Sequence, residues 1–328
     1  MLLRILKSNN LSNLLFIPVA VFAFWAGKLF APFSYSYFPG EAENVLFKYI
    51  NKIVGDAPLL NVILSAVFVV ILAVLIELII ARYQFIRIRT RLPAILFALI
   101  LGGLTGMHTL HPVYFAAVFL LLAIFRLFGI FDQPKAYTTV FDVGFLLGIG
   151  ALFYLNLYIV VPAFLVGIVV LGRGTGWREI VILIIAFLLP SILAFSYYFY
   201  TDRSQELITV FLKNINTSVY TLRNNLFLQI YLGALVLLTL LASIDIARHY
   251  DTKKVSSRKY FTVFFYIFIA SMISYVFIPS TSQEMLIISA IPVTFLLANF
   301  FVFLKSRFLG ELFFAVLLLV VIAVQFMA

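Results

Sequence analysis

The chain has 328 residues, 64% of them hydrophobic and 11% charged, with a mean hydropathy of +1.15, whereas a soluble domain is about a quarter charged. This excludes a soluble enzyme, and the absence of cysteine excludes a disulfide framework, a thiolate nucleophile and a Cys-ligated metal. The net charge of +10 lies in short segments between apolar runs, so it reports membrane orientation and not a nucleic-acid partner.

Arg4 and Lys7 precede the first apolar run, 14–30, which no small-x-small cleavage site follows; it is expected to be a retained helix. A loop at 31–58 contains Pro39-Gly40 and then, over 41–54, apolar Leu46, Tyr49, Ile50 and Ile53 at helical spacing. That pattern predicts a short amphipathic helix on the membrane surface, with Lys48, Asn51 and Lys52 toward water. The second helix, 59–80, is followed by the basic loop of Arg82, Arg87, Arg89 and Arg91. A short third helix, 92–107, leads into Gly-Gly-Leu-Thr-Gly-Met-His-Thr-Leu-His-Pro at 102–112, which holds two of the three histidines.

Further helices are expected at 113–131, 142–154 and 158–171, then a glycine-rich turn at 172–176 and a helix at 177–200. A second long polar loop, 201–225, carries Leu207, Ile208, Phe211, Leu212 and Ile215 on one face of another amphipathic segment. The last four helices are expected at 226–247, 260–278, 285–304 and 309–327. The fold class is therefore an all-α membrane protein of about eleven transmembrane helices.

With a cytoplasmic N-terminus, seventeen Lys and Arg fall in cytoplasmic segments and five in outer ones, with Lys28 at a helix end. The alternation puts the hairpin at 102–112 and both long loops on the outer face and the C-terminus in the periplasm. Glu77 near Arg82, Asp142 and Glu179 in first turns and Asp245 near Arg248 all read as helix-end carboxylates. None is left for the bilayer midplane, which speaks against an ion-coupled transporter.

The candidate chemistry is on the outer face. Glu41 and Glu43 read either as helix-start carboxylates or as a general base beneath the membrane surface. His108 and His111 read either as interfacial hairpin residues or as a proton source or metal ligands; two histidines without a third nearby ligand are a weak metal signal, and no metal is expected. Arg203 and Lys48 read either as interfacial anchors or as lipid-phosphate ligands. Asn216-Thr217-Ser218 fits a glycosylation sequon, which chance explains.

Two resemblances follow. The segments HPVYFAAVFLLLAIFRLFGIF, FDVGFLLGIGALFYLNLYIVVPAFLVGIVVL and WREIVILIIAFLLPSIL resemble a family of uncharacterised polytopic inner-membrane proteins of Bacteroidota. Its members are often labelled β-carotene monooxygenases, an activity that three histidines, with His249 on the opposite face, do not support. The order of outer loops, with long first and fourth loops each carrying an amphipathic helix, resembles the seven-helix module of GT-C glycosyltransferases over 10–225. That resemblance implies residues 1–225 as a GT-C-like module and 226–328 as additional helices. It further implies sugar handling from a polyprenyl-phosphate carrier at the outer face of the bacterial inner membrane. Glu41 or Glu43 would be the base, Arg203, His108, His111 and Lys48 would be near phosphate, and no cofactor is expected beyond an optional divalent cation. Glu-Ala-Glu stands where such enzymes generally carry an aspartate. The alternative is a non-catalytic membrane component that binds lipid or a partner protein.

Overall fold

The computed structural model describes residues 12–33, 37, 38, 40–86, 88, 90–174, 176–216, 226–281 and 283–327. Of the sequence features above, Arg4, Lys7, Pro39, Arg87, Arg89, Thr217, Ser218 and Arg223 lie outside the described residues. The described residues form helices and no strands. In order these are α1 Ser12–Phe30, α2 Phe47–Val54, α3 Pro58–Tyr83, α4 Leu92–Gly102, α5 Pro112–Phe128, α6 Tyr137–Phe153 and α7 Val161–Leu171. They continue with α8 Trp177–Tyr200, α9 Ser204–Asn216, α10 Leu226–Arg248, α11 Val255–Phe277, α12 Met285–Phe303 and α13 Arg307–Met327. Six of them, α3, α8 and α10–α13, are long and apolar enough to cross a membrane. Shorter apolar helical stretches of 10–17 residues lie in α1 and α4–α7.

Two helices form the centre. Every residue of α4 is buried, as are most of α12, the pattern of helices that are apolar all round. Around them α1 packs on α3 and α4, α3 on α5, α5 on α6, α6 on α8, α7 on α11, and α10 on α12 and α13. The contact between α6 and α8 is the most extensive, and Gly144 and Gly148 make it possible. A Cβ on Gly144 would stand 2.5 Å from the Leu183 carbonyl oxygen, and one on Gly148 would strike that of Phe187. Small residues four apart let two membrane helices touch backbone to backbone. Gly148→Val is expected to push α8 away and lower stability by about 1–3 kcal/mol, read as a shift in the unfolding midpoint in detergent. A shift below about 0.5 kcal/mol would show that the interface gives way freely.

At 11 residues α4 rises only about 16 Å, half the hydrocarbon thickness. It ends inside the protein, and so does the hairpin after it: Leu104, Met107, His108, Thr109, Leu110 and His111 are all buried. Non-helical backbone at such a place must find its hydrogen bonds within the protein, and side chains from three distant segments and from α5 supply them. The Tyr231 hydroxyl donates to the Ile100 carbonyl (2.6 Å) and Gln325 to that of Gly102. Tyr114 donates to the Met107 carbonyl and Tyr37 to that of Leu110 (2.9 Å). Gly102 and Gly103 are glycines because the rings of Phe24 and Tyr231 occupy the space a Cβ would need. The hairpin is thus an internal plug rather than the interfacial turn its histidines suggested.

Local differences from the sequence reading have simple causes. α6 begins at Tyr137, so Asp142 sits in its second turn and pairs with Arg126 of α5 at 3.6 Å. Glu77 pairs with Arg91 (3.6 Å), not Arg82, and Asp245 with His249 (3.3 Å), not Arg248. Glu179 accepts from the Gly176 N–H (2.9 Å) in the first turn of α8, as expected of a helix-start carboxylate.

Candidate functional site

The connections α1–α2, α4–α5, α6–α7 and α11–α12 meet at one end of the bundle, and each brings a polar group to the same buried spot. Between residues 40 and 46 the chain turns instead of continuing a helix, with Gly40 at φ +95° against Asn214. That turn sends the Glu41 side chain inward, where it is 4% exposed. Its Oε2 accepts from the Phe38 N–H (3.1 Å) and lies 3.3 Å from His111 Nε2. His111 is the N-cap of α5, and its Nδ1 accepts from the Val113 N–H at 3.2 Å. A neutral ring that accepts at Nδ1 carries its proton on Nε2, so His111 donates to Glu41.

The third member is Glu284, fully buried just before α12. Tyr154, at the end of α6, donates from its hydroxyl to Glu284 Oε1 (3.2 Å). Asn156 Nδ2 donates to the Tyr154 hydroxyl (3.4 Å) and to the Ser280 carbonyl (3.0 Å), tying the α6–α7 and α11–α12 connections together. One donor atom each from Glu41, His111 and Glu284 lie within 4.8 Å of one another. Glu41 Oε1 is buried with no hydrogen-bond partner among the described residues. Tyr37 lies across from His111, its phenol pushed up to about 12 by burial and by the Glu41 charge.

Two carboxylates and an imidazole can hold a proton or a divalent cation. A metal on His111 Nε2 would move the ring proton to Nδ1, where the Val113 N–H already points. The donor set therefore fits a metal only if the α5 cap opens, and fits a proton as it stands.

The remaining sequence candidates lie elsewhere. His108 stacks on Trp25 with ring centroids 3.9 Å apart, and its Nε2 faces the Leu101 carbonyl at 3.4 Å. Glu43, Lys48 and Arg203 belong to a clasp between the first loop and α9. Lys48 pairs with Glu206 at 3.0 Å and donates to the Tyr198 hydroxyl, Arg203 pairs with Glu206 at 2.6 Å, and Lys213 pairs with Glu43 at 2.9 Å. Lys48 thus turns inward rather than to water. Burial opposes its charge, but the bonds to Tyr198 and Glu206 outweigh that and hold its ammonium above the usual lysine value. The same bond from Lys48 holds Glu206 below the usual carboxylate value. Such half-exposed pairs contribute about 0.2–1 kcal/mol each. The structure therefore unites Glu41 with His111, and Lys48 with Arg203, as two separate groups.

An apolar crevice of about 340 Å³ runs between α6, α8 and α9; Glu41, His111 and Glu284 are not in its lining, and Asn44 is the residue that connects it to the Glu41 turn. Leu188, Ile192, Phe195 and Phe211 form its walls, and Asn44, three residues from Glu41, is at its head. Asn44 Oδ1 accepts from Asn214, while Asn44 Nδ2 is buried without a partner among the described residues. α2 and α9 flank this region with Tyr49, Ile53, Phe211, Leu212 and Ile215 exposed, the surface of helices that lie in a membrane interface.

Sequence reasoning passed over Glu284 and Tyr154. No sequence signal singled out Glu284, because an acidic residue directly before an apolar helix looks the same whether the helix start is buried or exposed. No curated protein and no solved structure matches the chain. The profile of a family of unknown function, DUF6427, matches residues 45–328, so the chain belongs to that family.

Proposed function

We propose that the chain is a multi-pass protein of the bacterial inner membrane, with its N-terminus cytoplasmic and eleven apolar helices, of which α4 stops short of the outer surface and leaves its hairpin to complete the passage. At the outer face it handles a polyprenyl-phosphate-linked sugar in the manner of a GT-C enzyme. The reading rests on one observation: a buried acid–base cluster, Glu41–His111–Glu284, joined through the Glu41 turn to an apolar crevice headed by an unpartnered amide. The crevice suits a polyprenyl chain and Asn44 Nδ2 a phosphate oxygen. Glu41, rather than the clasped Glu43, takes the proton of an acceptor hydroxyl as its oxygen bonds to the anomeric carbon and the polyprenyl phosphate leaves. The cluster does this with a proton alone; a divalent cation is an optional addition.

The test uses purified protein, a short polyprenyl-phosphate hexose and glycerol as acceptor, with released polyprenyl phosphate read by mass spectrometry. Glu41→Gln is expected to lower release by about 10²–10⁴-fold, the share of a general base, without lowering the unfolding midpoint. Equal release by Glu41→Gln and the parent, or none from either, would overturn the reading. The clasp favours a second reading, a non-catalytic lipid- or protein-binding component, because Glu43 and Lys48 spend their charge on holding the first loop to α9 and Arg203 spends its own on Glu206 in the next turn. On that reading the lipid is retained unchanged and Glu41→Gln has no effect on retention.

A further inference from the structure

At the opposite end of the bundle lies a larger cavity of about 500 Å³, formed where the end of α10, the start of α11 and the α12–α13 connection come together. Its polar wall carries Lys253, Lys254, Lys305 and His249. Against these, the carboxylate among the described lining residues is Asp245, and it is held by His249 at 3.3 Å. Three lysines thus share the described wall with one carboxylate.

A second observation points to a ligand. Asn299, on α12, is 1% exposed and lines the cavity. Its Oδ1 accepts from Lys253 Nζ at 2.9 Å, which fixes the amide so that Nδ2 is a donor with no partner among the described residues. A buried amide N–H left unpaired costs free energy that an incoming acceptor recovers. Ser257 and Ser306 add hydroxyls to the same wall, and the rings of Phe261 and Phe303 stand 5.5 and 5.2 Å from Lys253 Nζ, limiting where its ammonium can swing.

We propose that this cavity binds a phosphate-bearing anion, Lys253, Lys254 and Lys305 supplying charge and Asn299 Nδ2 a directed hydrogen bond. Its place at the end rich in basic residues, the cytoplasmic end by charge asymmetry, makes an anionic phospholipid headgroup the favoured source. Basic pockets between membrane helices on that side take such headgroups, with about 1 kcal/mol for each Lys or Arg near the surface. The site is independent of the outer-face cluster and stands whether or not that cluster is catalytic.

Native mass spectrometry of the full chain in detergent tests it, with phosphatidylglycerol and phosphatidylcholine supplied in equal amounts. Phosphatidylglycerol adducts are expected to outnumber phosphatidylcholine adducts by about tenfold or more, and to fall to parity in Lys253→Gln/Lys254→Gln/Lys305→Gln. Asn299→Asp guards against a variant that fails to fold. It keeps the size of the side chain and the Lys253 bond, so a packing role survives it, whereas an anion is repelled and the preference falls. Glycerol phosphate at 10 mM separates the sources: adducts that persist are lipid-specific, and adducts it displaces show that a soluble phosphate fills the same site. Equal retention of the two lipids, or a preference unchanged in both variants, would overturn the proposal.

Discussion

Replacing His111 by leucine is expected to destabilise the protein by about 3–5 kcal/mol. The ring donates to Glu41 and caps α5 at once, so its loss leaves a buried carboxylate without its partner and removes a helix cap. The signature that separates these effects is rescue. Adding Glu41→Gln in the same chain removes the stranded charge and should restore more than about 1 kcal/mol, while the cap stays lost. Unfolding midpoints of the four chains of this cycle measure the coupling. A loss below about 1 kcal/mol, or no recovery in the double variant, would show that the cluster carries no net charge.

The second large effect is at His108, whose fully buried ring stacks on Trp25 with centroids 3.9 Å apart and faces the Leu101 carbonyl at 3.4 Å. His108→Ala removes that ring and leaves a cavity in a packed interior, which is expected to lower stability by about 3–5 kcal/mol, as for other buried aromatic rings. His108→Phe keeps a ring against Trp25 and should lose clearly less. Unfolding midpoints in detergent measure both, and equal losses in the two variants would show that the stacked ring contributes nothing.

The helices were legible because each apolar run is bounded by charge or by a glycine–proline break. α8 occupies the predicted 177–200, and α3 and α12 fall within a few residues of their expected bounds. Asp142 misled because a carboxylate near a helix start has the same appearance in the first turn and the second, and only the position of Arg126 decides. The site was half legible. Glu41 and His111 could be chosen from their types and from the face that charge counting assigns them. Their 3.3 Å approach could not, since it depends on the turn at 40–46 and on α4 being too short to reach the surface. Glu284 lay hidden because its neighbours are polar and its helix is apolar, the pattern of any helix start at a membrane surface. Burial makes the difference, and burial is a property of the packed bundle.

The central place of α12 has a consequence for how the chain is made. Helices are made in chain order, yet the one that covers α4 comes eight helices after it. Until it arrives, the earlier helices wait side by side with an apolar hollow among them and the Glu41–His111 pair short of its third member. Contacts this distant along the chain close slowly and leave incomplete species exposed to wrong partners. The core around α4 is thus closed only once α12 has been made, and quality-control proteases have until then to find it.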